Sequence, residues 1–163
     1  MPRVPFASLP DDSRLWVFAA ERVLTAGEQA RLLETVDRFL DEWHAHGRPL
    51  AAGRELHENQ FLLVAVDETA AGVSGCSIDA LVREMRRLEA ELGLSLVDHG
   101  PVLFRENGTI RRVSRDEFAE LARAGAVTRD TLVFDNTISS LEAVRAGRWE
   151  VPAGTSWHGR AFF

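Results

Sequence analysis

Lysine and tyrosine are missing from this 163-residue chain, and cysteine occurs once. Without lysine there is no P-loop, whose lysine grips a nucleotide's terminal phosphates, and no Schiff-base chemistry, which needs a lysine amine. With tyrosine gone as well, acid–base or nucleophilic work falls to His, Asp, Glu, Cys, Ser and Arg. A single cysteine makes no intrachain disulfide, so Cys76 acts chemically, binds a metal or packs. No apolar run approaches the ~18 residues of a membrane span, and Met1-Pro-Arg-Val-Pro-Phe6 lacks the basic-then-apolar pattern of an export signal. A cytoplasmic protein without a membrane partner is the expectation. All 19 basic residues are arginines, set against 25 acidic ones for a net charge of −6. Nucleic-acid binders carry a basic face that releases counterions, and no such face is visible, so no nucleic-acid partner is expected. A small molecule or another protein remains as the partner. No cofactor is expected.

What is present reads as one α+β domain over residues 1–163. Leu15-Trp-Val-Phe-Ala19 and Phe61-Leu-Leu-Val-Ala-Val66 are continuous apolar runs that suit strands buried on both faces, the first as a central strand. Leu50 to Asn59 is more polar and reads as an edge strand, joined to the second run by a hairpin near His57 to Gln60. Thr25-Ala-Gly-Glu28 is a capping box. Leu32, Val36, Phe39 or Leu40, and Trp43 follow at helical spacing, and Gly47 with Pro49 is expected to end that helix. Ile78, Leu81, Val82, Met85, Leu88 and Leu92 form a second stripe, closed by Gly93. Asn107-Gly108 between Pro101–Arg105 and Thr109–Val113 is a strong hairpin signal. Ser114-Arg-Asp-Glu117 and Ser139-Ser-Leu-Glu142 have the form of further capping boxes. The element order predicts a ferredoxin-like core, the split βαββαβ arrangement, over about residues 13–106. A β-α-β-α extension over about 107–163 would pack on it.

That topology gathers three groups at one end of the sheet. They are His44, His46 and Arg48 from the end of the first helix, Asp67 and Glu68 from the third strand, and Ser74, Cys76, Ser77 and Asp79 from the start of the second helix. Two readings of this edge stay open. In the first it is a binding or scaffold surface, with a small-ligand pocket formed by Ser74, Ser77, Asp79, Asp67 and Trp157. In the second, Cys76 is a nucleophile or redox thiol with His46 or His158 as acid–base partner. A helix N-terminus favours thiolate, and the hydroxyls and N–H groups would cradle an anion. Asp79, placed by this reading in the first helical turn, opposes a thiolate, and an inert cysteine beside a Ser77 cap accounts for the same residues. His44, His46, Cys76 and Asp67 also offer zinc-type donors, but not at a spacing that specifies a metal, and no metal is assigned. Glu55, His57, Glu58 and Asn59 read as a solvated edge. Trp149 and Trp157-His158 fall in a stretch with Pro152 and Gly154, expected to lie over the domain as packing anchors or to close on the Cys76 end as a lid.

Several stretches carry a resemblance: Ser13-Arg-Leu-Trp-Val17, Trp43 with His46-Gly47 and Pro49-Leu50, Asn59-Gln-Phe61, Ala65-Val-Asp-Glu68, Ser74-Gly-Cys-Ser-Ile-Asp79, and Glu150-Val-Pro152 with Ser156-Trp-His158. Together they resemble a family of uncharacterised bacterial proteins of about this length, often labelled "ABC transporter ATPase". The label fails on the residues, because a chain without lysine has no Walker A motif and no Leu-Ser-Gly-Gly-Gln signature occurs. Val113 to Phe134, with Trp149 beyond, resembles a small GYF-type module in its order of helix, Gly turn and Thr-Leu-Val strand. The aromatic signature through which that family binds proline-rich peptides is absent.

Overall fold

The computed structural model describes residues 3–163. The protein is mixed α+β with antiparallel sheets and, among the described residues, five α-helices. The chain divides into two compact units, one reaching Val97 and including Ser139–Glu142, the other comprising Asp98–Ile138 and Ala143–Phe163. Among the described residues no helix is long and apolar enough to cross a membrane.

In the first unit the elements are β1 (Arg14–Ala19), α1 (Ala26–Glu42), β2 (His44–Ala45), β3 (Arg48–Pro49), β4 (Ala51–His57), β5 (Phe61–Asp67) and α2 (Gly75–Leu92). The sheet order is β1-β5-β4, with both pairs antiparallel. β5 is therefore central and β1 is an edge, a correction to the sequence reading. β1 is nonetheless buried along most of its length, and a returning segment pairs with its first residues. Leu15 N–H donates to Ser139 O at 3.0 Å and Leu141 N–H to Ser13 O at 2.9 Å, with a bridge between Arg14 and Ser140. Ser139-Ser-Leu-Glu142 thus meets the sheet edge rather than merely opening a helix.

The helix signals behave as the local chemistry requires. Thr25 Oγ1 accepts from Glu28 N–H while Glu28 accepts from Thr25 N–H, a complete capping box. Leu32, Val36 and Leu40 of α1 and Leu81, Met85 and Leu88 of α2 bury their stripes against Leu62, Val64 and Val66 of β5. Asp37 of α1 takes a bidentate bond from Arg54 of β4 at 2.7 and 2.9 Å and a further one from Arg3, which fastens the helix to the sheet edge. On the other face of β4, Gly53 has no room for a side chain. An added Cβ would lie 2.6 Å from Val4 O and 3.1 Å from Phe6 Cα. Gly53→Ala is expected to cost about 1–3 kcal/mol, the range for overpacking a filled site. Urea unfolding measures it, and a variant of unchanged midpoint would show that residues 4–6 do not press on the strand.

The second unit holds β6 (Val102–Glu106), β7 (Thr109–Val113), α3 (Arg115–Arg123), β8 (Leu132–Phe134), β9 (Glu150–Pro152) and α5 (Trp157–Phe162); α4 (Leu141–Arg145) lies where the chain passes back from the first unit. Its sheet order is β7-β6-β8-β9. The ferredoxin-like expectation needs β6 as the fourth strand of the first sheet, and there it is corrected: β6 pairs with β7 and β8. Two physical reasons stand out. The Asn107-Gly108 turn, with φ of 51° and 82°, joins β6 to β7 at the small entropic cost of a two-residue loop. Val102 and Phe104 also find a core of their own with Val113, Phe118, Val127 and Val133. The C-terminal stretch has regular elements: Glu150–Pro152 pairs with β8 and Trp157–Phe162 is helical.

Candidate functional site

α1 ends at Glu42, earlier than the Gly47-Pro49 stop predicts, because Trp43 leaves the helix at φ −69° and ψ 132°. The next six residues form the tight β2–β3 hairpin, whose turn residues His46 and Gly47 both have positive φ (52° and 75°). Trp43 fixes this exit. Its ring is 3 % exposed, packs edge-on to Trp16 at 5.8 Å and beside Phe39 at 5.5 Å, and its Nε1–H donates to Ser77 O at 2.9 Å. Leu50 N–H donates to Trp43 O and closes the hairpin base. The indole therefore ties the end of α1 to the first turn of α2.

At α2 the N-cap is Ser74, not Ser77. Ser74 Oγ accepts from Ser77 N–H at 3.1 Å, and Ser77 Oγ accepts from Ser74 N–H at 2.7 Å. Cys76 is then the second helical residue, exposed, and Asp79 the fifth, so the first turn of α2 contains no acidic residue. The objection that Asp79 opposes a thiolate in that turn is removed. Its backbone N–H groups at Gly75 and Cys76 precede the first intrahelical bond and are available to an acceptor.

An open cavity of about 400 Å³ lies where these elements meet. Phe39 and Trp43 supply an aromatic wall, His44 and His46 arrive from the hairpin, and Ser74, Cys76 and Ser77 come from α2. Residues far apart in sequence thus share one cavity, and His46, Ser74, Cys76 and Ser77 of the sequence-based set are among its lining. Asp67 and Asp79 are not. Asp67 instead accepts from the N–H and hydroxyl of Thr69 at 2.9 and 2.6 Å, which holds its carboxyl below its ordinary pKa. Glu68 accepts from Val73 N–H and braces the loop before α2. Helical spacing alone assigns Phe39 and Trp43 to helix packing. The signal for their second role was the tryptophan itself, whose N–H needs a partner at a helix end.

Trp157 and His158 belong to the second unit and line a different cavity, one that shares no residue with the first. His158 is 1 % exposed, stacks on Trp157 at 3.9 Å and has Nδ1 2.7 Å from Ser156 Oγ. Burial pushes its pKa down to about 4, with Asp135 opposing the shift and Arg115 adding to it. Trp149 is also buried, its Nε1–H donating to Asn136 Oδ1 at 2.8 Å. Among the described residues no group of three or more His, Cys, Asp or Glu side chains is arranged to hold a metal ion. No family model matches the chain, and neither does any curated protein or solved structure.

Proposed function

We propose that this protein is a binding domain whose small-ligand pocket is the cavity between the end of α1, the β2–β3 hairpin and the start of α2. The observation that carries the reading is the wall itself. Aromatic surface from Phe39 and Trp43 faces imidazole, hydroxyl and thiol groups in one space of about 400 Å³. That volume is inside the usual ~300–1,000 Å³ of ligand sites, which combine apolar walls with a few placed polar groups. The ligand that suits it has a flat apolar body and an acceptor group for the N–H groups of Gly75 and Cys76.

Cys76 reports on this pocket. Titrating the protein with one-ring and two-ring fragments while following iodoacetamide alkylation is expected to find fragments that slow modification of Cys76. Those fragments should lose affinity in Trp43→Phe or His46→Ala. A library that binds nowhere near Cys76, and leaves its alkylation rate untouched throughout, sinks the reading.

One observation favours a second reading, a thiol-dependent activity. The exposed Cys76 shares its cavity with His44 and His46, although among the described residues no hydrogen bond joins the thiol to either ring. A nucleophile and its base need to come within hydrogen-bond reach. His46→Ala is expected to slow alkylation of Cys76 near neutral pH if the pair works as a unit, and an unchanged rate removes His46 from that role.

A further inference from the structure

The cavity of the second unit, about 270 Å³, has a character distinct from the first. Its apolar surface comes from Pro101, Phe134 and Trp157, and its polar lining from Arg115, His99, Asn136, Thr137 and His158, with no carboxylate among them. In a chain of net charge −6 that composition is a local reversal of sign. The nearest acid by its effect on His158, Asp135, is engaged by the N–H and hydroxyl of Thr137.

Two donors in this cavity lining are held in place and have no acceptor among the described residues. Arg115 is oriented by its Nε–H, which donates to Gly100 O at 3.0 Å, and by its guanidinium lying 4.8 Å from the Trp157 ring centre. Its terminal nitrogens have no protein partner among the described residues. The Trp157 Nε1–H is buried with no acceptor. The His158 ring is anchored beside them. Ser156 Oγ has one proton to give and lies 2.7 Å from His158 Nδ1 but 3.2 Å from Ala153 O. The hydroxyl therefore ties down Nδ1 and leaves Nε2 as the other polar atom of the ring. A buried donor without an acceptor is costly, so the orphaned Trp157 N–H beside the exposed Arg115 guanidinium marks the place of an occupant.

We propose that this cavity is a second binding site, for a small monocarboxylate with an apolar body of about one ring. The carboxylate accepts from the Arg115 guanidinium, whose planar fork matches it, and from the His158 side, while the body lies against Pro101, Phe134 and the Trp157 edge. The site is independent of the pocket around Cys76, and its ligand class follows from the sign of its lining.

Benzoate and benzamide test the assignment, since they share shape and differ in charge. Both are titrated into the full-length protein at pH 7 and followed by amide and indole N–H resonances. Benzoate is expected to move the Trp157 indole signal and the backbone signals of residues 134–137 and to saturate, with benzamide at least about tenfold weaker. Arg115→Gln should weaken benzoate by about tenfold or more, Arg115→Lys should recover part of the loss, and Cys76→Ser should change nothing. Equal affinity for the two probes overturns the proposal. So does full benzoate affinity in Arg115→Gln, or an Arg115→Lys protein as weak as Arg115→Gln, which would make the arginine a packing residue only. Benzoate shifts confined to the residues around Cys76 overturn it too, and leave the first pocket standing.

Discussion

Replacing Trp43 by alanine should cost about 3–5 kcal/mol of stability, the range for deleting a large buried aromatic. The indole is 3 % exposed, touches Trp16 and Phe39, and makes the bond to Ser77 O. Its loss opens a cavity, removes two ring contacts and strands the Ser77 carbonyl inside the first turn of α2. Trp43→Phe separates these effects. It retains most of the ring and forfeits the N–H, so the expected cost is nearer 1 kcal/mol plus the smaller ring's lost contact. Urea denaturation followed by far-UV circular dichroism gives both values. An alanine variant within about 1 kcal/mol of the parent would contradict the packing on which the site depends. The structural consequence goes further than stability. Because the same ring joins α1 to α2, Trp43→Ala should also change the rate of Cys76 alkylation, whereas an exposed substitution such as Arg38→Ala on α1 should not.

Acid is expected to destabilise the protein through His158 well before its carboxylates protonate. The folded pKa lies near 4, below the ordinary 6.5, because burial penalises the charged ring. Between those values the unfolded chain binds the proton and the folded one does not, so stability rises with pH across that window. The contribution is complete above pH 6.5 and is lost progressively as pH falls to about 4; a shift of this size corresponds to roughly 3 kcal/mol. His158→Phe removes the titration while keeping a ring beside Trp157 and Phe118. The difference in unfolding free energy between parent and variant should therefore slope from pH 7 to pH 4. Parallel curves over that range would show that the imidazole protonates without leaving its place.

Local elements were legible because their signals are local. The Thr25 box, the α1 and α2 stripes, the Asn107-Gly108 turn and the apolar run of β5 each depend on neighbours within a turn or two. The errors came where local signals compete or where partners are distant. Trp43 fits the helical period yet caps the helix, since a hairpin turning at His46-Gly47 offers it both Ser77 and Phe39. Ser74 and Ser77 are equally good caps by type, and only the reciprocal bonds between them decide that Ser74 is the N-cap. The apolar Val102–Phe104 of β6 suits a buried strand of either sheet, and its membership was settled by β7, β8 and Phe118.

By itself the sequence determined the Thr25 cap, the buried stripes of α1 and α2, the Asn107-Gly108 turn and the absence of lysine chemistry, because period and caps are short-range properties. Tertiary structure alone decided which strand lies at the edge of the first sheet, that His158 is buried against Trp157, and that Arg115 lines a cavity with no acid on its wall. Those outcomes depend on which surfaces exclude water together, a choice made among residues that are remote along the chain.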